Sequence, residues 1–215
     1  MKKIDLLTDL SLGILSEAII SFYNVMFEDT ERLYDYHNRG FVLLPKHQSN
    51  LDILLEGILL KKSINRQGHY IMKDSLPSIL EYVGGVPITR AREIKKLPKE
   101  MRLEKVAEAR QKREEVYGEL ANLLKLNEIV VVHVEGKRHY QKKTKINRGN
   151  VQSLMDMQKK VGEQITFFPL DIKYQDIDKF RSNILLKVGE PIKVSDDGLE
   201  DLTNHLAKNI ELLEA

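Results

Sequence analysis

FVLLPKHQSNLDILLEGILLKK, residues 41–62, places two apolar runs of different character on either side of a polar turn. FVLLP (41–45) is short and apolar, which favours a β-strand. LDILLEGILLKK (51–62) is longer and repeats its apolar residues at helical spacing, which favours an α-helix. The stretch therefore predicts a strand that turns, through KHQSN, directly into a helix.

The same alternation of strand and helix continues along the rest of the chain. Further strands are predicted over HYIMK (69–73), VPIT (86–89), EIVVVHV (128–134), ITFFPLDIKY (165–174) and ILLKV (184–188). Further helices are predicted over LPSILEYVG (76–84) and over roughly 99–126, 149–161 and 199–213. Strands that alternate with helices imply an α/β fold, here a single mostly parallel or mixed sheet flanked by helices.

An N-terminal amphipathic helix is predicted ahead of this domain, over residues 4–27. Its apolar face carries Leu12, Ile14, Leu15, Ala18, Ile19, Phe22, Val25 and Met26, while the opposite face is small, polar or acidic. Residues 28–40 are polar and are predicted to form a linker or a short helix. We therefore expect two parts: a helix within residues 1–28, which either contacts a membrane or packs on the domain, and the domain itself over 29–215.

Composition narrows the class of protein. Hydrophobic residues make up 42% and charged residues 31% of 215 residues, as in a globular protein. The formal net charge of +2 provides no global field for nucleic acid, and the absence of cysteine removes disulfides, thiolate metal sites and cysteine nucleophiles. Asp5 and Asp9 interrupt the apolar run that a signal peptide needs. No stretch approaches the roughly 18 apolar residues of a membrane-spanning helix.

Two histidine–aspartate pairs share the spacing HxxxxD, and their contexts differ. His69 opens a predicted strand with Asp74 just beyond its end, and five residues of extended chain span roughly 16 Å. We expect that pair to be accidental. His47 follows a strand, and Asp52 falls in the first turn of the next helix, where a turn folding back can bring the two side chains within hydrogen-bonding reach. A carboxylate there also favours the positive end of the helix dipole.

The pair formed by His47 and Asp52 has a chemical and a structural interpretation. A carboxylate that accepts the Nδ1–H of a histidine leaves Nε2 as a base and stabilises the imidazolium that forms. Such a dyad can deprotonate a substrate alcohol, and the chain contains no GxSxG nucleophile elbow. The structural alternative is a variant capping box, with Ser49 as the N-cap and Asp52 at N3. Both can hold at once, because Asp52 has two oxygens.

KHQSNLD resembles the first sequence block of the glycerolipid acyltransferases, the lysophosphatidic acid acyltransferase family, in which NHxSxxD follows a strand. Further blocks of that family are matched in order by GGVPITR (84–90), in part by HVEGKRH (133–139), by ITFFPLDI (165–172) and by VGEPIKV (188–194). The resemblance covers roughly residues 41–213. It is the co-occurrence of the blocks that makes it specific, since each motif alone is weak.

The resemblance implies an acyltransferase of phospholipid synthesis. His47 would be the general base oriented by Asp52, and an acceptor hydroxyl would attack the thioester of acyl-CoA or acyl-carrier protein. The resemblance also implies that a lysophosphatidic acid-like acceptor is bound by Arg90, Glu135, Gly136 and Arg138, with the arginines on its phosphate. A guanidinium offers a planar fork of donors that matches phosphate oxygens.

HVEGKRH departs from the family block FPEGTRS. His133 and Val134 replace Phe-Pro, and His139 replaces serine. Lys137 replaces threonine, and it either adds a contact to the acceptor phosphate or indicates a different acceptor. These changes leave acyl transfer as the predicted chemistry and leave the acceptor open.

Two alternative functions remain open from the sequence. An acyl hydrolase would use the same His47–Asp52 dyad with water as the acceptor. A non-enzymatic module would bind RNA or anionic lipid through the basic run KRHYQKKTKINR (137–148), although such runs are usually solvated loops. No HExxH, CxxC or Walker loop occurs, so we predict no metal and no cofactor beyond the acyl-carrying co-substrate.

The expected partners are a lysophospholipid acceptor, an acyl-CoA or acyl-carrier protein donor and a membrane surface, without nucleic acid. Since the proposed acceptor is a membrane lipid, we expect a cytoplasmic enzyme that is peripheral to the inner face of the cell membrane. The apolar face of the N-terminal helix is the candidate anchor, and its polar face is not basic, so binding would depend on buried apolar area more than on charge.

Overall fold

The computed structural model describes residues 20–73, 84–88, 98–136, 146–176, 179, 181–195 and 198–212. Within them, seven strands form one sheet: β1 (Asn24–Glu28), β2 (Phe41–Pro45), β3 (Gly68–Lys73), β4 (Gly85–Ile88), β5 (Ile129–Val131), β6 (Phe167–Tyr174) and β7 (Asn183–Val188). The α-helices are α1 (Asp52–Ile64), α2 (Lys99–Lys125), α3 (Arg148–Val161) and α4 (Leu199–Leu212), and a 3₁₀ helix covers Thr30–Tyr36.

The strands lie in the order β1-β7-β6-β2-β5-β3-β4. From β6 to β4 all neighbours are parallel, whereas β7 is antiparallel to β6, and β1 is parallel to β7. The sheet is therefore mixed, with a parallel majority. The α/β fold predicted from the sequence, a single sheet flanked by helices, is confirmed.

Helices cover both faces of the sheet, which explains why its central strand is apolar throughout. In β2, Phe41 and Leu43 pack in a cluster with side chains of α1, while Val42 and Leu44 pack in a second cluster with side chains of α2, α3 and α4. Strands of a sheet buried on both faces have near-continuous hydrophobic sequences. The candidate site lies where this sheet meets the loops at the carboxyl ends of its parallel strands.

The end of the predicted N-terminal helix is wrong. Residues 20–22 are helical, but Asn24–Glu28 form strand β1 rather than the last turn of a helix. This strand pairs with β7 in parallel register, and Asn24 Nδ2 donates to Asn183 Oδ1 at 2.8 Å. The helical prediction for residues 4–19 lies outside the described residues. Residues 28–40, predicted as a linker or a short helix, contain the 3₁₀ helix.

The other predicted elements agree with the structure where it describes them, with small differences at their ends. β5 is shorter than predicted, because it ends at Val131 and the backbone turns at residues 134–135. The predicted helix over 76–84 falls almost wholly outside the described residues. Gly84 precedes β4 with a φ of +90°, and a Cβ there would lie 2.5 Å from the carbonyl oxygen of Gly68, so only glycine fits.

Candidate active site

The candidate site lies at the carboxyl ends of three parallel strands. His47 comes two residues after β2, His133 and Glu135 follow β5, and Tyr174 is the last residue of β6. Because β2 pairs in parallel with both β5 and β6, these ends meet at the same edge of the sheet. Ligands of open α/β sheets commonly bind outside the carboxyl ends of the strands.

The predicted contact between His47 and Asp52 is present. Nδ1 of His47 lies 3.0 Å from Oδ2 of Asp52, and the backbone N–H groups of Gln48 and Ser49 donate to the same oxygen at 2.6 and 2.7 Å. Three donors therefore converge on one carboxylate oxygen. The arrangement assigns the proton to Nδ1 of His47 and leaves Nε2 with a free lone pair.

Asp52 is completely buried, and its second oxygen also has a partner. The hydroxyl of Tyr174 donates to Oδ1 at 2.5 Å, and burial followed by the Asp52 charge raises the pKa of that hydroxyl. Sequence reasoning did not identify Tyr174. A buried carboxylate with four donors retains a fixed orientation, because rotating it would leave several buried N–H or O–H groups without an acceptor.

The contacts of Asp52 also agree in part with the capping interpretation. Asp52 reaches back to the N–H of Ser49, as in a capping box, and the hydroxyl of Ser49 accepts from the N–H of Leu51 at 3.2 Å. However, α1 begins at Asp52, with Leu51 rather than Ser49 at the N-cap. The carboxylate thus shapes the turn and orients His47 at the same time.

The environment of His47 favours its neutral form. Burial lowers the pKa of His47, the hydrogen bond to Asp52 opposes that effect, and the positive charge of His133 adds to the lowering. The net direction is below the ordinary value. A neutral imidazole with Nε2 unprotonated is the form in which histidine accepts a proton.

Glu135 is tied to the turn that carries His47. Its Oε2 accepts the backbone N–H of His47 at 2.8 Å, and its Oε1 is buried without a hydrogen-bond partner among the described residues. Burial raises the pKa of Glu135 to about 8, although the His47 N–H, His133 and Lys46 all act in the opposite direction. Part of the Glu135 population is therefore protonated at neutral pH and can donate a hydrogen bond.

Gly136, predicted beside Glu135, has a φ of +69°, a conformation that residues with a side chain rarely adopt. A Cβ at this position would also lie 3.0 Å from Nδ2 of Asn150. That asparagine donates to the carbonyl oxygen of Val134 at 3.2 Å, so the start of α3 supports the turn after β5. Glycine lets the chain turn immediately after Glu135 without displacing this support.

A second imidazole–carboxylate pair lies against the first one. Nε2 of His133 is 3.0 Å from Oε1 of the fully buried Glu56, and the rings of His133 and His47 have their centroids 4.2 Å apart at an interplanar angle of 36°. From the sequence, His133 was noted as a departure from the family block and was given no role in acyl transfer, and Glu56 was not identified. Glu56 stands four residues after Asp52 on α1, a spacing that places both carboxylates on one helix face.

The remaining sequence-predicted residues fall into two groups. Arg90, Lys137 and Arg138 lie outside the described residues, as does most of the basic run 137–148. His69 lies near the amino end of β3, and its Nε2 is 3.7 Å from Oε2 of Glu128. His69 thus has a carboxylate neighbour other than the predicted Asp74, which is itself outside the described residues.

Neither a metal centre nor a membrane-spanning helix is found among the described residues. They contain no group of three or more His, Asp or Glu side chains placed to hold a metal ion. No helix in the described part of the chain has both the length and the apolar character needed to cross a bilayer.

Comparisons with known proteins agree with this architecture. A family model described as Acyltransferase matches residues 24–173. The crystal structure of the 1-acyl-sn-glycerophosphate (LPA) acyltransferase PlsC from Thermotoga maritima superposes with a TM-score of 0.58 at 17% sequence identity, over 97% of this chain and 81% of that chain. At that identity the superposition shows a shared fold. No curated protein matches the chain.

Proposed function

Since the chain belongs to the Acyltransferase family, we propose that it moves a fatty acyl group from a thioester donor to the hydroxyl of a lysophosphatidic acid-like acceptor. The family match covers 150 of 215 residues and includes β1 through all but the last residue of β6, so His47, Asp52, His133 and Glu135 lie inside it and Tyr174 lies just beyond its end. The protein is thus an acyltransferase, and the glycerolipid acceptor, the donor and the residue roles below are the proposal.

The hydrogen bond between His47 Nδ1 and Asp52 Oδ2 is the observation that carries the mechanism. Nε2 of His47 takes the proton of the acceptor hydroxyl as its oxygen attacks the thioester carbonyl. The tetrahedral intermediate then breaks its C–S bond, and the thiolate leaves with the proton that His47 returns. Asp52 stabilises the imidazolium present between the two proton transfers.

The acceptor side of the site rests on residues after β4 and β5. Arg90 comes two residues after β4, and Lys137 and Arg138 come directly after Gly136. We propose that these three cations hold the acceptor phosphate, since guanidinium groups match phosphate oxygens in a bidentate geometry. Glu135, part protonated at neutral pH, would donate to an acceptor oxygen from its unpartnered Oε1. One solved protein of similar fold is an LPA acyltransferase, which favours this class of acceptor.

A membrane-bound acceptor requires the site to work at a lipid surface. We propose that the segment before β1, rather than the whole of residues 1–28, contacts the membrane, because Asn24–Glu28 are built into the sheet. Phe22, in that segment, is 51% exposed, and Met26 of β1 is 44% exposed. The enzyme would then be peripheral to the inner face of the cell membrane, with acyl-CoA or acyl-carrier protein arriving from the cytoplasm.

A product screen tests this function. Purified protein is incubated with one donor, palmitoyl-CoA or palmitoyl-acyl-carrier protein. Each donor is combined in separate reactions with glycerol-3-phosphate, lysophosphatidic acid, lysophosphatidylcholine or no acceptor, and the products are identified by mass spectrometry. We expect an acylated product in the reaction with lysophosphatidic acid. Free palmitate formed at the same rate with and without acceptor would instead identify a hydrolase that uses the same dyad. No thioester turnover in any reaction would contradict both enzymes and favour the binding module.

A further inference from the structure

The His133–Glu56 pair stands in direct contact with the proposed base but has no role in the mechanism above. The three residues come from different parts of the fold: His133 follows β5, Glu56 belongs to α1, and His47 belongs to the turn after β2. We propose that Glu56 and His133 position the ring of His47 and hold a positive charge against it, so that His47 stays an unprotonated base. This inference rests on the proposed function of His47.

Geometry supports the positioning part. The hydrogen bond from Nε2 of His133 to the buried Oε1 of Glu56 fixes the His133 ring, and that ring lies 4.2 Å from the ring of His47. His47 is also held through its Nδ1, which lies 3.0 Å from Oδ2 of Asp52. The base is thus fixed between a hydrogen bond at Nδ1 and a ring contact on its face, which restricts rotation about both side-chain torsions.

Whether His133 carries a positive charge depends on the ionisable groups around it. Acidic groups surround it from two elements: Glu56 and Asp52 from α1, and Glu135 from its own loop. His47 faces it from the turn after β2, the Tyr174 hydroxyl of β6 donates to Asp52, and the buried Tyr70 of β3 has a pKa raised first by burial and then by Glu56. The turn after β2 also carries the buried Lys46, whose charge acts on Glu135, while the charges that raise the pKa of His133 are those of Glu56, Asp52 and Glu135.

The two imidazoles consequently titrate in opposite directions from the ordinary value. Burial lowers the pKa of His133, but Glu56, Asp52 and Glu135 outweigh burial and raise it overall. The pKa of His47 is lowered, first by burial, with the His133 charge contributing more than that of Glu56. On raising the pH, His47 loses its proton first, while His133 still carries its own. Paired groups whose pKa values are driven apart commonly divide the acid and base roles of a site.

If His133 only filled the space beside His47, replacing it with another aromatic ring would leave the pKa of His47 unchanged. The family block has phenylalanine where this chain has His133, so an aromatic ring alone could fill the space beside His47. His133→Phe keeps a ring of that kind and removes only the charge and the bond to Glu56. Because this leaves Glu56 buried without its partner, the double variant His133→Phe/Glu56→Gln is made as well, and it replaces the charged pair with a neutral one.

The experiment measures the pKa of His47 directly and through catalysis. The imidazole Cε1–H signals of the full-length protein are followed by NMR from pH 4.5 to 9, with His47 assigned by its absence in His47→Asn. In parallel, kcat/KM for palmitoyl-CoA with lysophosphatidic acid in detergent micelles is measured over the same range. His69→Phe is the matched control, since it removes a histidine with a carboxylate neighbour at the opposite edge of the sheet.

We expect the pKa of His47 to rise in His133→Phe and in the double variant, and to stay in place in His69→Phe. The acid limb of kcat/KM should move with it, so that the ratio of wild-type to variant activity grows about tenfold from alkaline to acid pH. An unchanged His47 pKa in a folded variant would overturn the inference while leaving the base role intact. A His47 pKa that rises in a protein without acyl transfer would support the pair and contradict the proposed function instead.

Discussion

Replacing Asp52 with asparagine separates its charge from its shape. Three N–H donors converge on Oδ2, so the amide oxygen of the substituted side chain must occupy that position. Its NH₂ group then takes the place of Oδ1, opposite the Tyr174 hydroxyl, which can rotate to accept instead of donate. Every hydrogen-bond position stays filled, and the variant keeps the turn.

The size of the effect follows from those contacts. A hydrogen bond to a charged group contributes about 1.5–3 kcal/mol and a neutral one about 0.5–1.5 kcal/mol, so each of the three N–H bonds weakens by roughly 1 kcal/mol. The neutral amide is less costly to bury, which offsets part of that sum. We expect the free energy of unfolding to fall by about 1–3 kcal/mol. Catalysis should suffer far more, by roughly 10²–10⁴ in kcat, because the imidazolium of His47 loses its counter-charge.

Acyl-CoA turnover, followed by thiol release, and urea unfolding measure the two effects on the same preparation. Tyr174→Phe is the control, because it removes one donor to Asp52 and leaves the His47 contact unchanged. It should cost about 1.5–3 kcal/mol of stability, because it leaves a buried charged oxygen without its donor, and less than tenfold in kcat. If Asp52→Asn were as active as Tyr174→Phe, Asp52 would serve only to start the helix and the dyad would be refuted.

Three further predictions concern the other parts of the site. The pKa of Glu135 is raised from 4.5 to about 8, so the folded state keeps a proton that the unfolded state loses between these pH values. The free energy of unfolding should therefore fall by roughly 3–5 kcal/mol as the pH rises from 4.5 to 8, and urea unfolding of Glu135→Gln should not show this fall. Arg90→Ala and Arg138→Ala should raise the acceptor KM about 10- to 150-fold with little change in the donor KM, and equal effects on both would argue against phosphate recognition. Deleting residues 1–19, ahead of the described chain, should abolish liposome flotation while a short-chain soluble substrate is still turned over; flotation that survives would place the anchor elsewhere.

Most of the sheet could be predicted from the sequence because its strands are buried on both faces. FVLLP is a continuous apolar run and ITFFPLDIKY has an apolar centre, FFPL, and such runs distinguish strands from the amphipathic helices between them. β1 was missed for the opposite reason. Its five residues alternate between exposed and half-buried, directly after a long run with helical spacing, and its partner β7 lies 159 positions further along the chain. Local pattern carries no information about that pairing.

Only the local part of the candidate site could be predicted from the sequence. His47 and Asp52 are five residues apart, so the turn that joins them is local and its spacing is visible in the sequence. Tyr174, His133 and Glu56 reach them only through the parallel pairing of β2 with β5 and β6 and through the position of α1. A weak signal existed, since Tyr174 and His133 each come at or just before the end of a predicted strand. The four-residue step from Asp52 to Glu56 along the predicted helix was another.

The most direct test of the account is the rate of acyl transfer by His47→Ala set beside that of His69→Ala. Both variants lose one largely buried imidazole next to a carboxylate, but only His47 lies at the carboxyl ends of the parallel strands. With lysophosphatidic acid and palmitoyl-CoA, and the product weighed by mass spectrometry, His47→Ala should lose at least about a hundredfold in kcat at unchanged circular dichroism, and His69→Ala should stay within a fewfold of wild type. Turnover that survives in His47→Ala, or disappears in a folded His69→Ala, would contradict the assignment of His47 as the base.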